Sequence, residues 1–173
     1  MQQRQLLIEY LERQNAQFIR QVHKFACTAA ETARSSRVDS HCFAKVVMIK
    51  VDGELAMMVL PAHQQVDLDV LQAALGAETL TLAAEREFSY RFPRCELGAM
   101  PPFGHLFGFQ TFMVPVFEEG EEIAFNAGTH SEIIRMPLEE YLRLAHVTEV
   151  PVGVEPPSLG TQRVMPHASG AGW

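Results

Sequence analysis

Two apolar runs, Lys45-Val-Val-Met-Ile-Lys-Val51 and Glu54-Leu-Ala-Met-Met-Val-Leu60, flank the dipeptide Asp52-Gly53. Asp-Gly tolerates positive φ at both central positions of a tight turn, so this stretch predicts a β-hairpin. The runs are nearly continuous rather than alternating. A strand of that kind is buried on both faces, so the rest of the chain must supply a covering layer on each side.

The segments around the hairpin read as those layers. Leu6, Leu7, Tyr10 and Leu11 form a helical stripe over Gln3–Gln14, with Asn15 as a stop. Gln17–His23 reads as a strand, and Thr28-Ala-Ala-Glu31 is a capping box that starts a short helix. Ser35–Ser40 is polar and reads as a loop. Pro61 ends the hairpin; Asp67–Leu75 reads as a helix closed by Gly76, Thr79–Leu82 as a strand and Ala84–Tyr90 as a short helix. Pro93–Gly108 is a Pro/Gly-rich loop. Pro115 interrupts a strand over Thr111–Phe117, which predicts an edge or a bulge. Glu119-Gly120 turns into a strand over Ile123–Asn126; Ser131–Met136 reads as the last strand, and Pro137 opens a closing helix through Ala145. The strands and helices interleave without a regular βαβ order, which predicts a mixed α/β fold with one mixed sheet and helices around it. Residues 1–150 form one domain on this reading, and 151–173 a Pro/Gly-rich, mobile tail.

At 173 residues the chain can bury a real core. No apolar run reaches membrane-span length, and the N-terminus lacks a signal peptide's apolar stretch, so a cytoplasmic location is expected. Cys27, Cys42 and Cys95 have neither disulfide nor zinc spacing and read as small buried or semi-buried thiols. The net charge of -7 argues against coating a long nucleic acid. Yet between Arg20 and Lys50 six cations face only Glu31 and Asp39. Such a patch is either ordinary solvated charge or a hold for a few phosphates, such as the end of an RNA.

A split constellation stands out from this background. Lys45 opens the first hairpin strand, Gly98-Ala-Met-Pro-Pro-Phe-Gly104 forms a stiffened loop, and Asn126-Ala-Gly-Thr-His130 follows on another strand. A cation, a proline-braced glycine loop and a histidine suit the grip of a small polar or charged group. Each also has a bland reading: a solvated edge lysine, a tight turn, a hydrogen-bonded structural histidine. His105 fits a loop cap, and Phe103, Phe107 and Phe109 either line a pocket or pack.

Ala44-Lys45 opening a hairpin, Leu82-Ala83 before a short helix, Gly98-x-x-x-Pro102-Phe-Gly and Asn126-Ala-Gly-x-His130 together resemble the YbaK/ProX superfamily of aminoacyl-tRNA deacylases, relatives of the prolyl-tRNA synthetase editing domain. The resemblance spans about residues 3 to 148. It implies a mixed α/β fold around a strongly curved, barrel-like sheet, and hydrolysis in trans of the ester joining a small wrong amino acid (alanine, cysteine, serine or threonine) to tRNA. It implies Lys45, Gly98, Pro102, Gly128 and His130 as the catalytic set. Ala44, Val46, Met100, Pro101, Phe103, Gly104, Asn126, Ala127 and Thr129 would then surround the substrate. It implies no metal and no other cofactor, attack by water assisted by the substrate itself, and as partners the aminoacyl-tRNA acceptor end and a synthetase. Val46 replaces the Asn that some alanine-editing relatives carry beside the lysine. The competing readings are a non-catalytic aminoacyl-tRNA or nucleotide sensor, and an interaction module using the acidic half or the tail.

Overall fold

The computed structural model describes residues 3–117 and 121–151. The expected Glu119-Gly120 turn, and the expected tail beyond Pro151, lie outside the described residues. The elements are α1 (Gln3–Arg13), β1 (Ile19–Val22), α2 (Ala29–Ser36), β2 (Phe43–Val51), β3 (Glu54–Pro61), α3 (Leu68–Leu75), β4 (Leu80–Leu82), α4 (Glu85–Phe88), β5 (Gln110–Met113), β6 (Glu122–Thr129), β7 (Glu132–Pro137), α5 (Leu138–Ala145) and β8 (Val147–Glu149).

The hairpin forms as the sequence requires. Asp52 and Gly53 take φ of 50° and 89°, and β2 pairs β3 antiparallel with Val47 opposite Met58. Its tip is tied down, because Asp52 Oδ1 accepts from the Thr79 amide at 2.7 Å just before β4. The sheet runs β1-β7-β6-β2-β3-β5-β8, with β4 also on β2. Parallel pairs (β2/β6, β3/β5, β5/β8) and antiparallel pairs mix, so the mixed α/β class holds. β1 and β8 are the two ends of this path, which is therefore an open ladder among the described residues.

Both faces are covered. On one side Leu7 and Leu11 of α1 and Tyr141 of α5 pack with Phe103 and Phe125. On the other, Leu71 of α3 meets Ile49 and Leu60. Each such side chain contributes about 1.5–3 kcal/mol by leaving water. The helix ends follow their sequence signals. Thr28 and Glu31 close a reciprocal capping box, and Asp67 and Gly76 cap α3 at its two ends.

Four expectations need correction. The last strand is β8, after α5 rather than before it; three residues are too few to show periodicity, and β5 alone recruits them. β5 ends at Met113, so Pro115 lies beyond its ladder, and β5 is interior, between β3 and β8. α2 continues through Ser36 to a left-handed Arg37, which shortens the predicted loop. Cys27 is exposed, because it sits in the capping turn before α2. No described helix is long and apolar enough to cross a membrane.

Candidate active site

The site starts from a break in strand pairing. On one edge, β2 pairs with β6 only at Phe43–Ala124 and Ala44–Phe125, and with β4 only from Ile49 onward. The positions between, beginning with Lys45, have no strand beside them on that edge. β6 meanwhile carries a bulge between Asn126 and Thr129, where Gly128 adopts φ of 98°. The bulge turns the Gly128 backbone away from β7 and toward the loop that precedes β5. Its amide donates to Ala99 O at 2.9 Å and its carbonyl accepts from the Glu96 amide at 3.0 Å. Positive φ without strain is what glycine supplies here.

This pairing brings the glycine loop onto His130. The ring Nε2 donates to Leu97 O at 2.8 Å, and the His130 amide donates to the Glu96 carboxylate. A Cβ on Gly98 would sit 3.5 Å from His130 Cε1. Gly98 itself has φ of 84°, and among the described residues its amide reaches only the thioether of Met100, at 3.2 Å. Sulfur is a weak acceptor, so this donor is cheaply surrendered. Among the described residues, two buried acceptors bracket the bulge without a hydrogen-bond partner: Asn126 Oδ1 and His130 Nδ1. Most buried polar groups are satisfied, so an orphaned one calls for an explanation such as a ligand, an ordered water or a catalytic role.

Lys45 is placed by strand alternation. Phe43 and Ala124 share one apolar cluster, whereas Ala44 and Phe125 share another on the opposite face. The next residues on these parallel neighbours, Lys45 and Asn126, therefore point to the Phe43 face together. The Lys45 Nζ donates to Ala62 O at 3.3 Å, and burial pulls the ammonium below the ordinary lysine range. Among the described residues it has no ion pair.

The predicted residues thus separate into groups. Gly98 packs against the His130 ring and Gly128 bonds the loop on either side of it, whereas Lys45 shares only the sheet face of Asn126. Gly98 is exposed, and Lys45, Val46, Thr129 and His130 are half-buried. Ala44, Met100, Pro101, Pro102, Phe103, Gly104 and Ala127 are buried. Met100 packs with Met48 and Val46, and Phe103 with Ala44 and Ala127, all on the face opposite Lys45. Pro102 O accepts from the Tyr141 hydroxyl at 2.9 Å, which clamps the loop to α5. Phe107 and Phe109 pack with Phe92. His105 stacks on His146, with ring centroids 4.3 Å apart. Burial holds Cys95 as the thiol, pushing its pKa up to about 12.

Three residues that sequence reasoning passed over belong to this neighbourhood. Glu96 fixes the His130 backbone, Tyr141 fixes Pro102, and the Phe25 ring stands edge-on to His130 at 5.6 Å. Each acts across a long sequence separation, and no local pattern announces it.

Comparison with known proteins identifies the family. A model of the aminoacyl-tRNA editing domain family matches residues 23–144. The chain is 31% identical over 146 residues to the multifunctional Ser/Thr-tRNA deacylase ProXp-y of Escherichia coli strain K12, across 82% of this chain and 87% of that protein. The protein of the same description from Escherichia coli O157:H7 matches equally. Among solved structures, a candidate trans-editing enzyme for prolyl-tRNA synthetase superimposes with TM-score 0.72 at 17% identity, over 87% of this chain and 96% of that one. The hypothetical protein APE2540 gives 0.75 at 14%, over 87% and 99%. At such identities the structural likeness speaks for the fold alone.

Proposed function

The chain belongs to the aminoacyl-tRNA editing domain family, within the YbaK/ProX superfamily of deacylases, and on that premise we propose that it hydrolyses in trans the ester joining serine or threonine to a mismatched tRNA. The choice of these two amino acids leans on the ProXp-y relatives. In the reaction, water adds to the ester carbonyl, the bond to the ribose oxygen breaks, and that oxygen leaves with a proton as a free hydroxyl. An aminoacyl ester is already activated, so fixed geometry and a donor for the developing oxyanion suffice.

The observation that carries this reading is the bulge at Gly128, which pins the glycine loop against His130, with the Gly98 amide on a weak sulfur acceptor and His130 Nδ1 orphaned among the described residues. Gly98 N–H is the oxyanion donor in this account, exchanging the Met100 sulfur for the carbonyl oxygen. With Nε2 donating to Leu97, His130 in its neutral form offers Nδ1 as an acceptor for the attacking water or for a substrate hydroxyl. Lys45 serves as a point charge for the terminal phosphate or the carbonyl, and Asn126 Oδ1 accepts from the substrate's amino group. Gly128 and Pro102 act by holding the backbone. Val46 and Thr129 border the accessible part of the site. Ala44, Met100, Pro101, Phe103, Gly104 and Ala127 shape its floor by packing.

A deacylation panel of Ala-, Cys-, Ser- and Thr-tRNAs tests the proposal, with Lys45→Ala as control. Release of serine and threonine by the wild type, lost in the variant, is the expected result. Tight binding of charged tRNA with no hydrolysis of any substrate would favour the non-catalytic sensor instead.

A further inference from the structure

We propose that Phe25, with Lys24 and Arg34, forms a nucleotide subsite that stacks a base of the single-stranded RNA 3′ end and holds its phosphates; this deepens the deacylase reading and rests on it for the identity of the RNA. Phe25 is 66% exposed, an unusual state for a phenylalanine. The backbone on either side of it is nevertheless held in place. The Ala26 amide donates to His130 O at 3.1 Å, the His23 amide to Ser131 O at 2.9 Å, and Ser35 Oγ to Lys24 O at 3.2 Å. The loop is therefore stitched both to the strand end that carries His130 and to α2.

The ring meets His130 in a T-shaped contact, which covers at most one of its faces and leaves the other for a planar group. A cavity of ≈ 420 Å³ opens beside it, lined by Phe25, Lys24, Arg34 and Glu31 among others. That size is within the range of small-ligand sites. Lys24 and Arg34 are exposed. Glu31 is the one acid in the lining, and its carboxylate is turned to the backbone amides of Cys27 and Thr28. An aromatic platform flanked by cations is the chemistry of single-stranded nucleic-acid binding, since every base has a π-face and every link a phosphate. Of the cations between Arg20 and Lys50, Arg20 and Lys50 pair with Glu132 and Glu87, whereas Lys24 and Arg34 line this cavity. A short RNA end needs few phosphate contacts, which fits a patch of this size. The subsite adjoins His130, so a base stacked on Phe25 lies next to the proposed position of the ester.

The test uses the full chain and an acceptor-stem hairpin RNA ending in single-stranded ACCA. Affinity is read by fluorescence anisotropy, and deacylation kinetics are measured on charged tRNA. Phe25→Ala is expected to weaken RNA binding about ten- to hundredfold, the range of a lost base stack. KM should rise by more than kcat falls, and Phe25→Trp should restore both. Lys24→Ala with Arg34→Ala should flatten the salt dependence of RNA binding by about 0.7 in the log–log slope per lost phosphate contact. Phe25 is exposed, so a thermal melt should match wild type. RNA affinity and KM unmoved by Phe25→Ala would overturn the subsite and leave the deacylase reading standing. RNA binding that depends on Phe25 in a protein that hydrolyses no charged tRNA would support the subsite and overturn the deacylase reading. A wild type that neither binds nor hydrolyses would overturn both.

Discussion

His130 Nε2 lies 2.8 Å from the carbonyl oxygen of Leu97 and donates to it. That one bond ties the glycine loop to the end of β6 and assigns the neutral ring's proton, leaving Nδ1 as an acceptor. Two substitutions separate the consequences. The amide nitrogen of Gln can reach Leu97 O, so His130→Gln should keep the tether and the melting temperature while removing the acceptor. Its kcat should fall about 10²-fold if Nδ1 takes part in proton transfer. His130→Asn keeps a polar group near the Nδ1 position but cannot span to Leu97, so it should loosen the loop and lower stability. Steady-state kinetics beside thermal melts of both variants check this; equal turnover by His130→Gln and wild type would remove the acceptor role.

Gly104 offers a purely steric prediction. A Cβ there would lie 2.3 Å from Thr111 Oγ1 and 2.9 Å from the backbone oxygen of Phe109. The hydroxyl is also the acceptor of the Gly104 amide, so it cannot swing aside freely. Gly104→Ala should destabilise the fold by about 2–3 kcal/mol, the upper part of the range for overpacking a core. Urea unfolding measures this directly. A companion Thr111→Ser keeps the hydroxyl and should leave Gly104→Ala no better, whereas Thr111→Ala in the same background should recover part of the loss.

Tyr141 anchors the other end of the loop. It is fully buried, and burial pushes its phenol far above the ordinary value, so it is a neutral donor to Pro102 O at all working pH. Tyr141→Phe keeps the packing against Phe103 and Phe125 but leaves the Pro102 carbonyl without this donor. The expected cost is about 1–2 kcal/mol. For a chain of this size that is a drop in melting temperature of roughly 2–8 °C. An unchanged melt would mean that the loop holds its shape without α5.

Much of this architecture was legible because its signals are local. The Asp52-Gly53 turn, the Thr28–Glu31 box and the Asp67/Gly76 caps each involve neighbours a few residues apart, and each formed as the sequence indicates. β8 was not legible, because its three residues gain strand character only from pairing with β5. The motif residues of the site were visible as motifs, but their division between two faces of β2 was not. Strand alternation sends Lys45 one way and Ala44 and Val46 the other, and only the register with β6 decides which face meets Asn126. The contacts of Glu96, Tyr141 and Phe25 arise from tertiary packing, so sequence patterns of period 2 or 3.6 carry no trace of them.

Lys45 joins stability and catalysis in a single pH experiment. Burial lowers its pKa from the ordinary 10.5, so the folded lysine loses its proton before the unfolded one does. Below the depressed value both states are charged and the fold bears the desolvation cost. Between that value and 10.5 the unfolded chain binds more protons than the folded one, so stability contributed by this group rises with pH there. Lys45→Met should abolish that alkaline rise and raise stability at neutral pH, where the wild type bears the desolvation cost. Deacylation should move oppositely. If the ammonium holds phosphate or carbonyl, the enzymatic rate falls as pH climbs through the depressed value, once spontaneous ester hydrolysis is subtracted. In Lys45→Met that fall should vanish with the activity itself, reduced about 10²-fold or more in kcat. Urea melts and single-turnover deacylation across the alkaline range measure the two slopes, and a Met variant that retains wild-type kcat would strip Lys45 of its role.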